Sequence, residues 1–320
     1  MRRGPTAMLL LPLAQLFRAI VCLRRLGYRK NLLRSHRLPV PVIVVGNIFV
    51  GGTGKTPLVL WLVEALKAMG LRPGIVTRGY RGRATSWPQT VTADSDPSLV
   101  GDEPVLLAQR GNCPVMAGPE RVISGRGLIE THGCDCIVSD DGLQHYALQR
   151  DLELVVIDRT RGLGNGLMLP AGPLREPPGR LRSVDMLLAN GGPSALTDHF
   201  FTLALENTVA LDGSGETRLL SDFAGERVHA VCGIGNPQRF FDALAEQGLQ
   251  VIPHPFADHH PYQPADIRFG DELPVLMTEK DAVKCRTFAR PYHWVVPART
   301  VLEHGTRRAL QECLNRRVLN

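Results

Sequence analysis

The sequence predicts an α/β fold: a parallel-sheet domain, then a smaller α/β C-terminal domain, joined by a short β linker. Three observations carry that prediction. Short apolar runs alternate with helical stretches along all 320 residues. One apolar run ends in a glycine-rich loop that opens directly into a helix. Residues 201–222 have extended character and contain a turn at Asp212-Gly213-Ser214-Gly215, which sets the expected division into residues 1–212 and 213–320. A hydrophobic content of 44% is globular and excludes a disordered chain.

The first element is both apolar and basic. Met8 to Leu23 is interrupted by Gln15 and Arg18, and it is flanked by Arg2, Arg3, Arg24, Arg25, Arg29, Lys30, Arg34 and Arg37. It is too short and too marked to span a bilayer, and a signal peptide would need a small-residue cleavage site. An amphipathic helix over about residues 5–30, lying on an anionic membrane surface, fits the basic flanks. A helix packed on the body of the protein is the other reading. Net charge is +6. Because the excess sits at an apolar N-terminus and not in an aromatic-interleaved groove, nucleic acid is not expected as a partner. The seven cysteines form no Cys-x-x-Cys pair and read as reduced structural thiols.

The first strand is expected at 42–45. After it come Phe49-Val50-Gly51-Gly52-Thr53-Gly54-Lys55-Thr56, and a helix over 55–69 with Leu58, Leu62, Leu66 and Met69 at helical spacing. Strand, glycine loop and Gly-Lys-Thr at a helix start make a phosphate-binding loop of the P-loop NTPase type. Backbone N–H groups turn inward around phosphate oxygens, Lys55 adds a point charge, and the Thr56 hydroxyl suits Mg²⁺. The match is imperfect at its start, where Phe49 stands in place of glycine. A nucleoside triphosphate is therefore expected, and the C-terminal half of the loop carries the expectation.

Further strands are expected at 74–77, 135–139, 152–157 and 185–189, then at 228–232, 274–278 and 293–296. Helices are expected at 102–110, 119–132, 236–247 and 300–315. The 135–139 strand runs into Asp140-Asp141-Gly142, with Gln144 and His145 following. An apolar strand ending in acid suits a carboxylate that holds Mg²⁺ opposite Thr56, although Asp and Gly also make plain turns. Gly101-Asp102-Glu103-Pro104 is ambiguous in the same way: Asp102 suits a helix N-cap, a general base or a metal-shell carboxylate. Asp258-His259-His260 lacks the further ligands of a zinc site and fits a carboxylate–imidazole pair better. Residues 161–180, rich in Gly, Pro and Arg, read as an ordered loop presenting Arg175 and Glu176 for phosphate neutralisation. Arg78-Gly79-Tyr80 follows the second strand as a substrate loop or a turn.

These strings occur in one order with Gly233-Ile234-Gly235-Asn236-Pro237-Gln238-Arg239-Phe240 and Thr278-Glu279-Lys280-Asp281-Ala282-Val283-Lys284. The set closely resembles the tetraacyldisaccharide 4'-kinases, the lipid A 4'-kinases of Gram-negative bacteria, over nearly the whole chain. The resemblance implies transfer of the ATP γ-phosphate to the 4'-hydroxyl of a tetraacylated glucosamine disaccharide 1-phosphate. It implies work at the cytoplasmic face of the inner membrane on a glycolipid substrate; no obligate protein partner is inferred. At matched positions it implies residues 49–56 as the nucleotide site. Asp102 is the implied base, assisted by His259, with Asp141 and Asp258 as catalytic carboxylates. Arg78, Glu103, His145 and Arg175 are implied as supporting groups, and Thr56, Asp140, Glu103 and Glu176 as the Mg²⁺ set. Two departures from the family pattern are Phe49, usually small and polar, and Arg81, usually glycine; Leu143 also replaces a common Phe. A switch GTPase is the alternative class, but Val50 stands where that class commonly has lysine, and no guanine-reading Asn-Lys-x-Asp string occurs.

Overall fold

The computed structural model describes residues 4–319. Among them, strands β1 (Val42–Gly46), β2 (Pro73–Thr77), β3 (Gln89–Val91), β4 (Val115–Ala117), β5 (Cys136–Asp140), β6 (Leu152–Asp158), β7 (Met186–Asn190) and β8 (Phe200–Leu205) belong to a large sheet. Strands β9 (Thr208–Ala210), β10 (Thr217–Arg218), β11 (Arg227–Cys232), β12 (Gln250–Pro255), β13 (Val275–Thr278) and β14 (His293–Val296) form a smaller one, and β15 (Ala298–Leu302) returns to the first. The large sheet runs β15-β8-β7-β6-β1-β5-β2-β4-β3 and the small one β10-β9-β14-β13-β11-β12. The helices are α1 (Pro5–Leu9), α2 (Leu11–Arg29), α3 (Lys55–Ala68), α4 (Pro97–Val100), α5 (Asp102–Gly111), α6 (Arg121–His132), α7 (Pro237–Glu246), α8 (Glu279–Cys285) and α9 (His304–Leu314).

The centre of the large sheet is parallel, and β1, β2, β5 and β6 are buried along their whole length. A parallel strand covered by helices on both faces needs a continuous apolar run, and Val42-Ile43-Val44-Val45 supplies one. Leu58, Leu62 and Leu66 turn one face of α3 onto this core.

The chain crosses to the small sheet at Glu206–Asn207 and crosses back at Pro297. A cut after residue 212 therefore leaves β9 apart from its sheet mates, and leaves β15 and α9 apart from the core they join through Leu310 and Leu314. The helix expected over 300–315 starts later, at His304. Thr300-Val301-Leu302 is extended and pairs antiparallel with β8, and the Glu303 carboxylate then caps the helix by accepting from Gly305 N and Thr306 N, each at 2.8 Å.

Residues expected as one N-terminal helix form α1 and α2; Arg2 and Arg3 lie outside the described residues. Ala14 is buried and Phe17 and Val21 pack toward the apolar cluster around Ile48, Phe49 and Leu143, whereas Leu9, Leu13, Leu16, Ile20 and Leu23 are exposed. Among the described residues no helix is long and apolar enough to cross a membrane.

Candidate active site

Parallel strands point their C-terminal ends the same way, so the residues that end them gather at one edge. Register sets Val45 beside Asp140 and Asp158 beside Asn190. The loop after β1 opens onto this edge, and Gly51 and Gly54 adopt φ of +97° and +85° to turn it. A Cβ on Gly54 would stand 2.1 Å from Asn190 Nδ2, which itself donates to Thr53 O at 3.0 Å. Asn47 Nδ2 braces the same loop, donating to Gly51 O at 3.2 Å and Thr53 Oγ1 at 3.1 Å. Phe49 is no misfit. Its backbone bridges Leu174, its ring is buried near Met168 and Leu174, and the Arg161 guanidinium lies 5.1 Å from the ring centroid while donating to Gly52 O. Val50 is exposed.

The small sheet closes over the loop. Gly235, between β11 and α7, lies so near Gly52 that a Cβ there would meet Gly52 N at 2.7 Å. Between them is a cavity of about 220 Å³. Lys55, Thr56, Glu103, Asp158, Asn190 and Lys280 supply its polar wall, and Leu203, Leu205, Ile234, Phe240 and Val296 its apolar wall. Asp158, Asn190, Arg239 and Lys280 carried no role in the sequence. The strand-end rule points to Asp158 and Asn190 once the sheet is drawn. Arg239 and Lys280 lie in strings singled out only by resemblance.

The two acids after β5 have opposite environments. Asp141, at φ +45°, faces Lys55 at 3.4 Å and takes two bonds from Arg175, at 2.9 and 3.1 Å. Burial alone would raise it, but these two cations hold it far below the usual carboxylate range. Asp140 is fully buried, and burial followed by the Glu103 charge pushes it up to about 7. Its Oδ1 has no hydrogen-bond partner. Arg121 fastens the turn by donating to both Asp140 O at 2.9 Å and Asp141 O at 2.8 Å.

Asp102 and His259 meet from a helix of the large-sheet region and a loop of the small-sheet region. The first starts α5 and the second lies in the loop after β12, yet His259 Nδ1 is 2.9 and 3.0 Å from the Asp102 oxygens. Lys280 Nζ is 3.1 Å from His259 Nε2 and donates to Glu103 at 2.9 Å and Asp258 at 3.0 Å. An ammonium only donates, so Nε2 accepts and the proton sits on Nδ1, pointing at Asp102. Burial would raise Asp102, but the His259 bond and the Lys280 and Lys284 charges lower it below its ordinary value. Tyr80 sets its ring edge-on to His259 at 5.2 Å, and Arg81 donates to His259 O at 2.9 Å.

His145 is pushed down to about 4 by burial and by Arg121, Arg150, Arg24 and Arg78, so it is neutral near pH 7. Arg78 is exposed. Glu176 does not line the phosphate-loop cavity with Thr56: it is buried and accepts from Tyr146 Oη at 2.7 Å.

A family model for tetraacyldisaccharide-1-P 4'-kinase matches residues 6–317. The tetraacyldisaccharide 4'-kinase of Alkalilimnicola ehrlichii is 55% identical, over 99% of this chain and 96% of its own length. That of Nitrosococcus oceani is 50% identical, over 92% and 86%. A crystal structure of LpxK from Aquifex aeolicus in complex with ATP superposes with a TM-score of 0.81 at 29% identity, covering 98% of this chain and 99% of that one. The chain belongs to the tetraacyldisaccharide-1-P 4'-kinase family.

Proposed function

We propose that this kinase transfers the γ-phosphate of ATP to the 4'-hydroxyl of a tetraacylated glucosamine disaccharide 1-phosphate, with Asp102 as the base. The observation that carries this is the meeting of Asp102, His259 and Lys280 beside Glu103, a wall of the phosphate-loop cavity. Phosphoryl transfer needs positioned donors around the phosphates and an acceptor for the hydroxyl proton. Backbone N–H groups of 51–56, with Lys55 and Lys280, suit the first need. Asp102, held ionised, suits the second: the proton leaving the hydroxyl goes to a carboxylate oxygen as the new O–P bond forms and the bond from the γ-phosphorus to the bridging oxygen breaks, ADP leaving with the electron pair. His259, fixed as its Nδ1–H tautomer, orients that carboxylate, and Asp258 and Glu103 hold Lys280.

The residues fit a divalent cation. Asp140 Oδ1 is a buried acceptor without a partner, the Glu103 charge acts on it, and Glu103 and Thr56 line the phosphate-loop cavity. Thr56, Asp140 and Glu103 would hold Mg²⁺, which would neutralise charge on the phosphates. Glu176 is better read as a partner of Tyr146. The exposed leucine stripe of α2 and its basic flanks support peripheral attachment to an anionic bilayer, at the cytoplasmic face of the inner membrane, beside a glycolipid acceptor.

The test is a labelled-ATP transfer assay with the disaccharide 1-phosphate in detergent, followed by identification of the phosphorylated position. Label at the 4'-position is expected. Phosphorylation elsewhere, or hydrolysis without transfer, overturns the assignment.

A further inference from the structure

A second cavity, of about 490 Å³, opens beneath the C-terminal half of α2 and shares no lining residue with the phosphate-loop cavity. Arg25, Arg29, Arg37, Arg150 and Arg180 line it, against a single lining carboxylate, Glu153. That carboxylate is taken: Arg180 Nη2 donates to it at 2.6 and 2.7 Å, and Arg150 at 3.1 Å. Arg37 is paired with Asp151 at 2.8 Å. Arg25 donates to the neutral Ser183 hydroxyl, at 2.7 Å, and is attracted by the buried Glu176 carboxylate without a salt bridge to it; among the described residues Arg29 has no carboxylate partner. The Nε atoms of Arg150 and Arg180 are buried without acceptors, and Arg180 as a whole is 2% exposed. The cleft thus holds more guanidinium donors than its own acids satisfy, in the fork geometry that suits phosphate oxygens. Its surroundings are apolar and exposed: Leu26, Leu32 and Leu33 follow the same turn of chain, at 47%, 80% and 41% exposure.

The structure assigns this cleft to the phosphate headgroup of an anionic phospholipid in the bilayer surface, held by Arg25 and Arg29 while the neighbouring leucines enter the acyl boundary. The inference rests on the proposed action at a lipid surface. Exposed leucines beside arginines that have no carboxylate salt bridge favour a bilayer headgroup over a freely dissolved phosphate, which would gain nothing from Leu32.

The test is co-sedimentation of the full chain with vesicles of phosphatidylcholine alone or mixed with phosphatidylglycerol, with inorganic phosphate added in one arm. Arg25→Gln/Arg29→Gln is compared with Arg227→Gln/Arg268→Gln, which removes two exposed charges from the small lobe. The cleft variant should lose about tenfold in affinity for the phosphatidylglycerol vesicles, keep its weak binding to neutral vesicles, and keep kcat and KM for acceptor dispersed in detergent. An equal loss in the control variant means a net-charge effect and overturns the cleft assignment. So does full competition by inorganic phosphate at unchanged ionic strength, or a raised KM for the detergent-dispersed acceptor, which would assign the cleft to the acceptor's own phosphate. If Leu13→Ser/Leu16→Ser abolishes vesicle binding while the cleft variant retains it, the surface reading stands and the cleft fails. If the unaltered chain binds neither vesicle, both fail.

Discussion

The phosphate loop and the Asp102–His259 pair are two halves of one site built in different ways. The loop is continuous in sequence, made mostly of backbone, and held by Asn47 and Asn190 from strand ends of the same sheet. The pair is made of side chains 157 residues apart, and Lys280, which braces it, comes from α8 after β13 of the small sheet. The loop's geometry therefore depends on local conformation, whereas the pair's depends on how the two sheets meet. Substitutions should separate the two: loop changes act on nucleotide binding, and pair changes act on transfer.

The largest expected effect is at Asp102. Asp102→Asn keeps shape but removes the proton acceptor, so kcat should fall by roughly 10²- to 10⁴-fold. ATP affinity, measured by calorimetry, should stay within a few-fold; equal losses in both would mean that the pair is part of the nucleotide site. Next is Gly54→Ala. A side chain at φ +85° costs about 1–2 kcal/mol, and its Cβ would collide with Asn190. Nucleotide affinity should drop at least tenfold, together with a lower melting temperature; normal ATP binding would show that the loop does not need this conformation.

Asp140 gives an intermediate effect with a sign that depends on pH. Its folded value is raised to about 7, above the ordinary carboxylate value, so the folded state binds the proton more tightly than the unfolded state. Stability lost to ionising Asp140 therefore accumulates as pH rises from about 4 and is complete above about 7. Asp140→Asn should stabilise the cation-free protein at about pH 8 and much less at about pH 5, while abolishing Mg²⁺-dependent nucleotide affinity. A melting difference independent of pH would refute the buried-charge account. Asp141 should behave oppositely, since its lowered value contributes stability that is present at neutral pH and lost on acidification. The smallest effect is expected at Arg81, which sits at φ +62° and donates to His259 O. Arg81→Gly trades strain against one exposed bond, so kcat should change by no more than a few-fold. A large loss would mean that this contact positions His259.

The central strands of both sheets, the helices after β1 and β11, the loop at 49–56 and the acids after β5 were legible in the sequence, because each follows from local periodicity or from a contiguous string; β3, β4, β12 and α8 were not, being short or polar elements that only their sheet and helix neighbours stabilise. Strand ends, glycine turns and helix caps are short-range physics. The antiparallel return of β15 was not legible: Thr300-Val301-Leu302 continues into a good helix, and only the open edge of β8 makes it a strand. Nor could spacing alone distinguish Asp102 as N-cap from Asp102 as the partner of His259.

By itself the sequence determined a phosphate-loop α/β chain with an apolar, basic N-terminus, since those features are written in neighbouring residues. Only the tertiary structure decided which carboxylate is held ionised and which is pushed toward the neutral form. Asp140 and Asp141 are identical side chains one residue apart. The burial of one and the lysine and arginine beside the other arise from parts of the chain that meet only when it folds.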